Sequence, residues 1–511
     1  MRSRPLLVAQ LDAMHQSRGG DWYYRTFAPS RALADLPGVY VVNLDQAHRR
    51  LALVIEHADV LVINGVCSAD LLPVMQQRKQ QRRLTVFEIN DDVQAMQASN
   101  PLAPFFAQPE NIRLFRRLAL TADAVQYSVP ELERVYGSLN PRGRVFLNQI
   151  TALPPRREPS GATAISVGWG GSAGHFDDLA ELAPGLIQLV LAEPSVTLCL
   201  MCSDKIWSLF DALPAARKRR TPVGWIDDYY AFVSQLDIGI APNRDEGFNR
   251  CRSDVKFLEY AACGAVAVVQ RLAPYLDSVE HRENGFLFGS HAELFETLSW
   301  LIRHPSERQR VRDAAYAYVA RERLQGPRAL ERLGFYDQLN AQPAESRAAS
   351  LFAELAELEG AEVSGRHLVL SHTRYERLLH DGLLALQRAQ DRVRGEQALR
   401  EAARLEPTQA LPELMLGASL DSEADLLASL SKNPRSVQAE LALGAHYLGA
   451  HQARPALERF LRAAELSPGY ELPFLQAART MQQLGATKEA EEFARIAESM
   501  ASAILPAIAP R

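Results

Sequence analysis

The chain has 511 residues, 47% of them hydrophobic and 23% charged, a length that suggests about three domains, each able to bury its own core. Lys plus Arg number 56 against 61 Asp plus Glu, a net charge of −5, so the basic excess that a nucleic-acid binder needs is absent. Gly and Pro, 29 of each, are near average usage, which excludes collagen-like and low-complexity chains.

The first apolar run, residues 5–11, follows basic residues but is too short for a signal-peptide core and reads as a buried strand. Further apolar runs at 39–43, 60–64, 84–89, 124–128 and 144–147 alternate with helical stretches. Most lack period-2 alternation, as strands buried on both faces of a doubly wound parallel sheet do. Within this region Gln76-Gln-Arg-Lys-Gln-Gln-Arg-Arg83 is a basic run, either a solvated face or a contact for anionic lipid headgroups. The strand Val86-Phe-Glu-Ile-Asn-Asp-Asp-Val93 ends in two carboxylates, Asp91 and Asp92. A Pro-rich, charged stretch at 153–161 reads as a linker, closing a first Rossmann-like domain at 1–155.

The alternation restarts over 160–340, with strands expected at 164–168, 197–201, 238–241, 265–269 and 285–288. Two consecutive Rossmann-like domains put the ligand site in the cleft between them. A second basic run, Arg217-Lys-Arg-Arg220, falls here and has the same two readings as the first. Cys67, Cys199, Cys202, Cys251 and Cys263 are sparse and odd in number, which suits a reducing cytosol. Cys199 and Cys202 lie in a strand-like run and read as buried thiols. No window approaches the apolar length of a membrane span.

From 345 to 511 no strand is evident, and Ala, Leu, Glu and Arg dominate. Leu443, Gly444, Tyr447, Ala456, Phe460, Ala463 and Pro468 fall at tetratricopeptide positions, and Pro434 and Pro468 are 34 apart, the period of that repeat. A helical repeat domain is therefore expected, in preference to a generic Ala/Leu bundle. Arrays of this kind recruit protein partners.

The segment from Ile238 to Val269 carries the chemistry. A strand ends at Pro242, a polar loop containing Gly247 follows, and a helix is expected to start at Ser253 as N-cap and stop at Gly264. A helix N-terminus at the carboxyl end of a parallel strand suits a diphosphate, and Arg252 and Lys256 add full charges. Glu259 shares a face with Lys256 and is placed to accept hydrogen bonds from the vicinal hydroxyls of a ribose. The competing reading is a surface helix with an ordinary Lys–Glu pair.

Phe248-Asn-Arg-Cys-Arg-Ser-Asp-Val-Lys-Phe-Leu-Glu-Tyr-Ala-Ala-Cys-Gly264 resembles the donor-site motif of retaining glycosyltransferases of the two-Rossmann (GT-B) fold, family 4 and its relatives. Gly19-Gly20 is similar to that family's glycine loop, Val145-Phe-Leu-Asn148 to the strand entering its linker, and Asn284-Gly285 to its late turn. Val167-Gly-Trp-Gly-Gly-Ser-Ala-Gly-His-Phe-Asp-Asp-Leu179 resembles the first strand and loop of the donor domain. The resemblance implies a nucleotide-sugar donor and no metal or other cofactor. It places Glu259 on the ribose, Arg252 and Lys256 on the diphosphate, and the backbone of Gly247, Phe248, Asn249 and onward to Ser253 along the donor sugar, with Gly19 and Gly20 nearby.

Two departures stand out. Cys251 occupies the place of the family's first glutamate, which Glu246 could replace only with a longer loop. His175 stands near the place of a usual basic residue. Asp91 and Asp92 suit orienting an acceptor hydroxyl or stabilising charge on a departing sugar, and equally suit capping a helix; Asn90 breaks the spacing of a metal-binding Asp-x-Asp. The expected activity is sugar transfer to a glycan, lipid-linked glycan or protein, in the cytoplasm or at the inner face of the membrane. The alternative is an inactive transferase-like scaffold for protein–protein interaction.

Overall fold

Runs of Val, Ile and Leu with both faces covered dictate the architecture. The computed structural model describes residues 4–13, 19–100, 102–155, 164–171, 173–339, 341–342, 345–387 and 391–504, so the expected linker lies outside the described residues from 156 onward. β1 (Leu6–Asp12), β2 (Val39–Asp45), β3 (Val60–Asn64), β4 (Leu84–Ile89), β5 (Ala124–Tyr127) and β6 (Gly143–Val145) pair in the order β2-β1-β3-β4-β5-β6, all parallel. All but β6 are almost wholly buried, which is why their sequences lack alternation.

The second sheet comprises β7 (Ile165–Gly170), β8 (Val196–Met201), β9 (Lys218–Thr221), β10 (Ile238–Ala241), β11 (Val266–Gln270) and β12 (Phe286–Phe288). Its order is β12-β11-β10-β7-β8-β9, again all parallel. In each sheet the strand order reverses beside the first strand, between β1 and β3 and between β7 and β10. In open α/β sheets ligands bind outside the carboxyl ends of the strands at such a reversal.

The chain crosses twice between these units, and the crossings are tied together. Ile150 N–H donates to the Arg323 carbonyl at 2.8 Å and Gln325 N–H to that of Ile150 at 2.9 Å. The helix Gln325–Leu339 then returns to the first sheet, burying Phe335 and Tyr336 with Phe146 and Val8.

One expectation is corrected and another gains detail. The region after 345 is not wholly helical: β13 (Ala361–Ser364) and β14 (His367–Leu370) form a hairpin, and β14 adds to β2 in parallel at the edge of the first sheet. β13 is polar and half-exposed, so no apolar run announces it. In the basic run at 217–220, Lys218 to Arg220 lie on the edge strand β9, half-exposed to exposed, and Arg217 ends the turn before it. Arg217 donates to the carbonyls of Glu193 at 2.6 Å and Val196 at 2.9 Å, and Lys218 Nζ to that of Phe210 at 2.8 Å. Charged residues on an edge strand also discourage pairing with other chains. In the other basic run Arg78 is buried and donates to the Leu84 carbonyl at 2.6 Å.

From Arg374 to Ile504 eight helices form four successive pairs among the described residues: Arg374–Gln387 with Arg392–Leu405, Leu411–Leu420 with Glu423–Lys432, Val437–Gly449 with Ala453–Leu466, and Glu471–Gln483 with Thr487–Ile504. Gly444 sits against the Phe460 ring, where a Cβ would come within 2.5 Å of an aromatic carbon. No helix of the described residues is long and apolar enough to cross a membrane.

Candidate functional site

The helix Val255–Cys263 leaves the loop after β10, and its C-cap Gly264 is left-handed at φ 77°, as expected for a helix that stops directly before a strand. Its N-cap is Asp254 and not Ser253. The reason is a competing bond: the Ser253 hydroxyl accepts from Asn148 Nδ2 at 2.8 Å, which ties it to the interdomain crossing. Asp254 in turn is held by Arg323, with Oδ1 3.0 Å from Nη2, and by the Ser278 hydroxyl at 2.6 Å.

Glu259 and Lys256 lie together, as the spacing implies, with Oε2 3.5 Å from Nζ. They are not a surface pair. Glu259 is 3% exposed, and Lys256 donates to the Tyr229 hydroxyl at 2.6 Å and packs over that ring at 4.3 Å. Burial pulls the Lys256 ammonium below its ordinary value, and the Glu259 charge works against that shift. Glu259 Oε2 makes no hydrogen bond, while Oε1 accepts from the Tyr24 hydroxyl at 2.9 Å. Tyr24 comes from the other domain. Its hydroxyl is also 2.9 Å from that of Tyr230, which therefore donates to it. The carboxylate read as a ribose acceptor already holds a hydroxyl from across the cleft.

Arg252 stacks over the Phe248 ring at 5.0 Å. Phe248 and Asn249 are buried, with Asn249 Nδ2 donating to Asp178 Oδ1 at 3.1 Å, so these side chains shape the loop and leave its backbone to a ligand. His175 adds no positive charge. Burial, with Arg252 nearby, lowers its imidazole to about 4, although its Nδ1 lies 2.9 Å from Asp178. Burial tends to raise the Asp178 carboxyl, but bonds from His175, the Arg244 N–H and Asn249 hold it below its ordinary value.

Glu246, at the start of the short helix Gly247–Arg250, pairs with Arg244 at 3.2 Å and accepts from Gln97 Nε2 at 3.2 Å, so it spans the cleft. Cys251 is buried with the core of the first domain. It is a packing contact where the resembled family has a carboxylate.

On the opposite wall the two aspartates separate. Asp92 does not project into the cleft: it is fully buried, and Oδ1 accepts from the Tyr136 hydroxyl at 2.7 Å and the Gln94 N–H at 3.2 Å. Asp91 is half-buried, and burial raises its carboxyl while Arg252 across the cleft draws it down. Gly19 and Gly20 are exposed, and the Gly19 carbonyl accepts from Tyr23 N–H at 3.0 Å. A Cβ on Gly20 would meet nothing within 4 Å, so packing does not require glycine there.

Sequence reasoning missed the π-helix Trp22–Phe27 and the residue before it. Arg25 is buried, donating to Glu88 Oε1 at 2.6 Å, the Phe146 carbonyl at 2.6 Å and Asn148 Oδ1 at 2.8 Å. Through Asn148 it reaches Ser253, so one buried arginine joins the first sheet to the start of the second domain's helix. The signal was present in Trp22-Tyr-Tyr-Arg-Thr-Phe27, an aromatic run around a charge, one residue after a glycine pair. A cavity of about 260 Å³ lined by Lys79, Arg82, Arg83 and Asp123 lies at the amino end of β4, away from the cleft.

Residues 198–331 match the family described as glycosyl transferase-like. No curated protein matches the chain. Among solved structures, Anabaena Alr3699/HepE in complex with UDP and glucose is 16% identical with a TM-score of 0.50, covering 65% of this chain and 100% of its own. Sucrose-phosphate synthase from Thermosynechococcus elongatus is 15% identical with a TM-score of 0.48, covering 65% and 99%. The two sheets and their crossings have the GT-B fold, and the matched segment contains the Val255–Cys263 helix with every cation assigned above to the diphosphate.

Proposed function

We propose that the chain transfers a sugar from a nucleotide-sugar donor to a hydroxyl of a glycan, a lipid-linked glycan or a protein. The observation that carries this is the start of the Val255–Cys263 helix, where Arg252, Lys256 and Glu259 converge at the strand reversal between β7 and β10. Arg252, Lys256 and the free N–H groups of that helix meet the charge growing on the departing diphosphate, in the role other transferases give a metal ion. Glu259 takes the ribose hydroxyls once Tyr24 releases it. Asp91 faces the reacting centre from the first domain, and Glu246 with Gln97 bounds the sugar.

The resemblance implies retention of anomeric configuration, which proton NMR of the product tests. The paired helices after Arg374 serve to recruit the acceptor or a partner protein, in the manner of tetratricopeptide arrays. A panel of UDP-, ADP- and GDP-sugars should raise the melting temperature, and Lys256→Ala or Glu259→Ala should abolish the rise. Absence of any rise in the wild-type protein, with Glu259→Ala indistinguishable from it, overturns the reading.

A scaffold reading draws on Tyr24 sealing Glu259 and on Cys251 packing where the resembled family has a glutamate. Release of free nucleotide from any donor in the panel excludes it.

A further inference from the structure

Beyond the carboxyl end of β7, on the reversal of the second sheet, the chain turns through Gly174 and His175 into the short helix Phe176–Ala180. The His175 imidazole is held on two sides. Its Nδ1 lies 2.9 Å from Asp178 Oδ2, and the Trp169 ring meets it edge to face at 5.8 Å. Asp178 is fixed in turn, since its Oδ1 accepts from the Arg244 N–H at 2.9 Å and from Asn249 Nδ2 at 3.1 Å. The turn that carries His175 is thereby bolted to the loop that carries Glu246.

One segment of the first domain reaches across the cleft to both. Gln97 Nε2 donates to Glu246 Oε2 at 3.2 Å, and the Ser99 hydroxyl to the Gly174 carbonyl at 3.4 Å. The charged groups that act on the imidazole are Arg252 and Lys256, which oppose its protonation, and Asp178, which favours it. His175 is thus placed between the cations read as diphosphate ligands and the Glu246–Gln97 contact that bounds the sugar. Asp178 is held below its ordinary value, so it is ionised at neutral pH and can only accept. The imidazole proton then sits on Nδ1, which leaves Nε2 a lone-pair acceptor. Nε2 bonds to no described residue, and it is not sealed off, because the side chain keeps 12% of its surface exposed. A phosphate oxygen, itself an acceptor, cannot answer it. A hydroxyl can, and a nucleotide sugar carries its hydroxyls just beyond the phosphates.

We infer that His175 is a specificity-determining residue that accepts a hydrogen bond, through Nε2, from a ring hydroxyl of the sugar being transferred. The inference rests on the transferase reading above and deepens it on the donor side. The ligand class is a nucleotide sugar with a free hydroxyl at that place, and a donor lacking it is discriminated against. The imidazole neither gives nor takes a proton, so the bond exchange at the anomeric carbon and its stereochemistry are left to other groups. Asp178 is a positioning residue, because it reaches the sugar only through the tautomer and orientation it imposes on His175.

The test uses the full chain and isothermal titration with two ligands at pH 8: a sugar nucleotide of the panel that binds, and its parent nucleoside diphosphate. His175→Phe keeps a ring against Trp169 and removes the acceptor. It should weaken the sugar nucleotide about three- to tenfold, the worth of one hydrogen bond, and leave the parent diphosphate as in wild type. His175→Gln, whose amide can donate to Asp178 and accept from the sugar, should recover most of the loss. Among deoxy analogues of the sugar nucleotide, the one lacking the recognised hydroxyl should bind wild type and His175→Phe alike. Equal weakening of both ligands by His175→Phe would put the imidazole on the phosphates, and no weakening of either would put it outside the site. Each of these results overturns the inference and leaves the transferase reading standing. A measurement on wild type alone decides the matter if His175→Phe does not fold. A neutral imidazole predicts an affinity for the sugar nucleotide that is flat from about pH 6 to 8, whereas an imidazolium on the phosphates predicts a steep loss as pH rises, which overturns the inference. Wild-type protein that binds no sugar nucleotide of the panel removes both readings.

Discussion

Tyr24 decides how the proposed donor site is presented. Its hydroxyl donates to Glu259 from across the cleft, and that carboxylate has a second oxygen with no hydrogen bond. A ribose that takes both oxygens of Glu259 competes with this tyrosine for Oε1, and displacing it costs about one hydrogen bond to a charged group, roughly 1.5–3 kcal/mol. Tyr24→Phe should lower the melting temperature of the free protein, because it leaves a buried carboxylate oxygen unpaired. The same change should tighten binding of the donor nucleotide identified by the panel several-fold, because the competitor is gone. Isothermal titration of that nucleotide against both proteins reads this, and weaker or equal binding by the variant would show that ribose and tyrosine do not compete. His175 gives the contrasting case of a residue whose identity misleads. Its sequence position suggests a cation, but burial keeps the imidazole neutral at pH 7, so the positive charge in this part of the cleft comes from Arg252 and Lys256.

The hairpin β13–β14 docks on β2 and buries Leu368 and Leu370 in the first domain's core, and one of its contacts titrates. His367 Nε2 meets Asn43 Oδ1, and Asn43 Nδ2 donates to the Ser30 hydroxyl at 2.8 Å, so the imidazole must carry its proton on Nε2. Burial, with Arg31 nearby, lowers His367 to about 4. A folded-state pKa below the unfolded value near 6.5 means the unfolded chain binds more protons. The stabilisation is then complete above about pH 6.5 and is lost as pH falls toward 4. His372, raised by its hydrogen bond to Asp45, works in the opposite sense, so acid alone does not isolate the effect. His367→Leu should cost roughly 1–3 kcal/mol at pH 7.5 by orphaning Asn43, and should flatten the fall in melting temperature between pH 6.5 and 4 relative to wild type. An unchanged slope in the variant would place the acid sensitivity elsewhere.

This hairpin also marks the limit of what the sequence could reveal. The central strands are legible because burial on both faces forces continuous apolar runs, as in Val60-Leu-Val-Ile-Asn64. Edge strands face solvent and carry Lys218-Arg-Arg or Glu362, which read as loop or charge run until their pairing is seen. The donor side followed the same logic: Lys256 and Glu259 share a helix face, so spacing alone places them together. Tyr24, Asn148 and Asp178 matter through partners 66 to 235 residues away, and no local pattern encodes such contacts.

At the scale of the molecule, the helical region is bound to the first domain along its length. Asp70 accepts from the Ser436 hydroxyl at 2.8 Å and the Gln438 N–H at 2.9 Å, Arg117 pairs with Glu471 at 3.0 Å, and Arg49 with Glu406 at 2.7 Å. Val437, Ala463 and Tyr470 are buried in the same core as Leu72 and Leu118. These contacts change how recruitment must be tested. Removing residues 345–511 also removes the helix Ala348–Ala356, which packs on β1 and β2, and the strand that covers β2. Loss of a glycan in that deletion would report a damaged first domain as readily as a missing recruiter. Ending the chain at 391 keeps the eight-stranded sheet but still strips apolar surface from around Leu71, Leu72 and Leu118. That truncation should lower the melting temperature and increase aggregation while leaving in place any rise that a sugar nucleotide of the panel induces in the full chain, because the proposed donor helix is built from the other domain. Differential scanning calorimetry with and without that nucleotide separates the two effects. If the truncated chain melts as the full one does, the docked face contributes nothing to stability, and the helical region is an appended module rather than a third wall of the first domain.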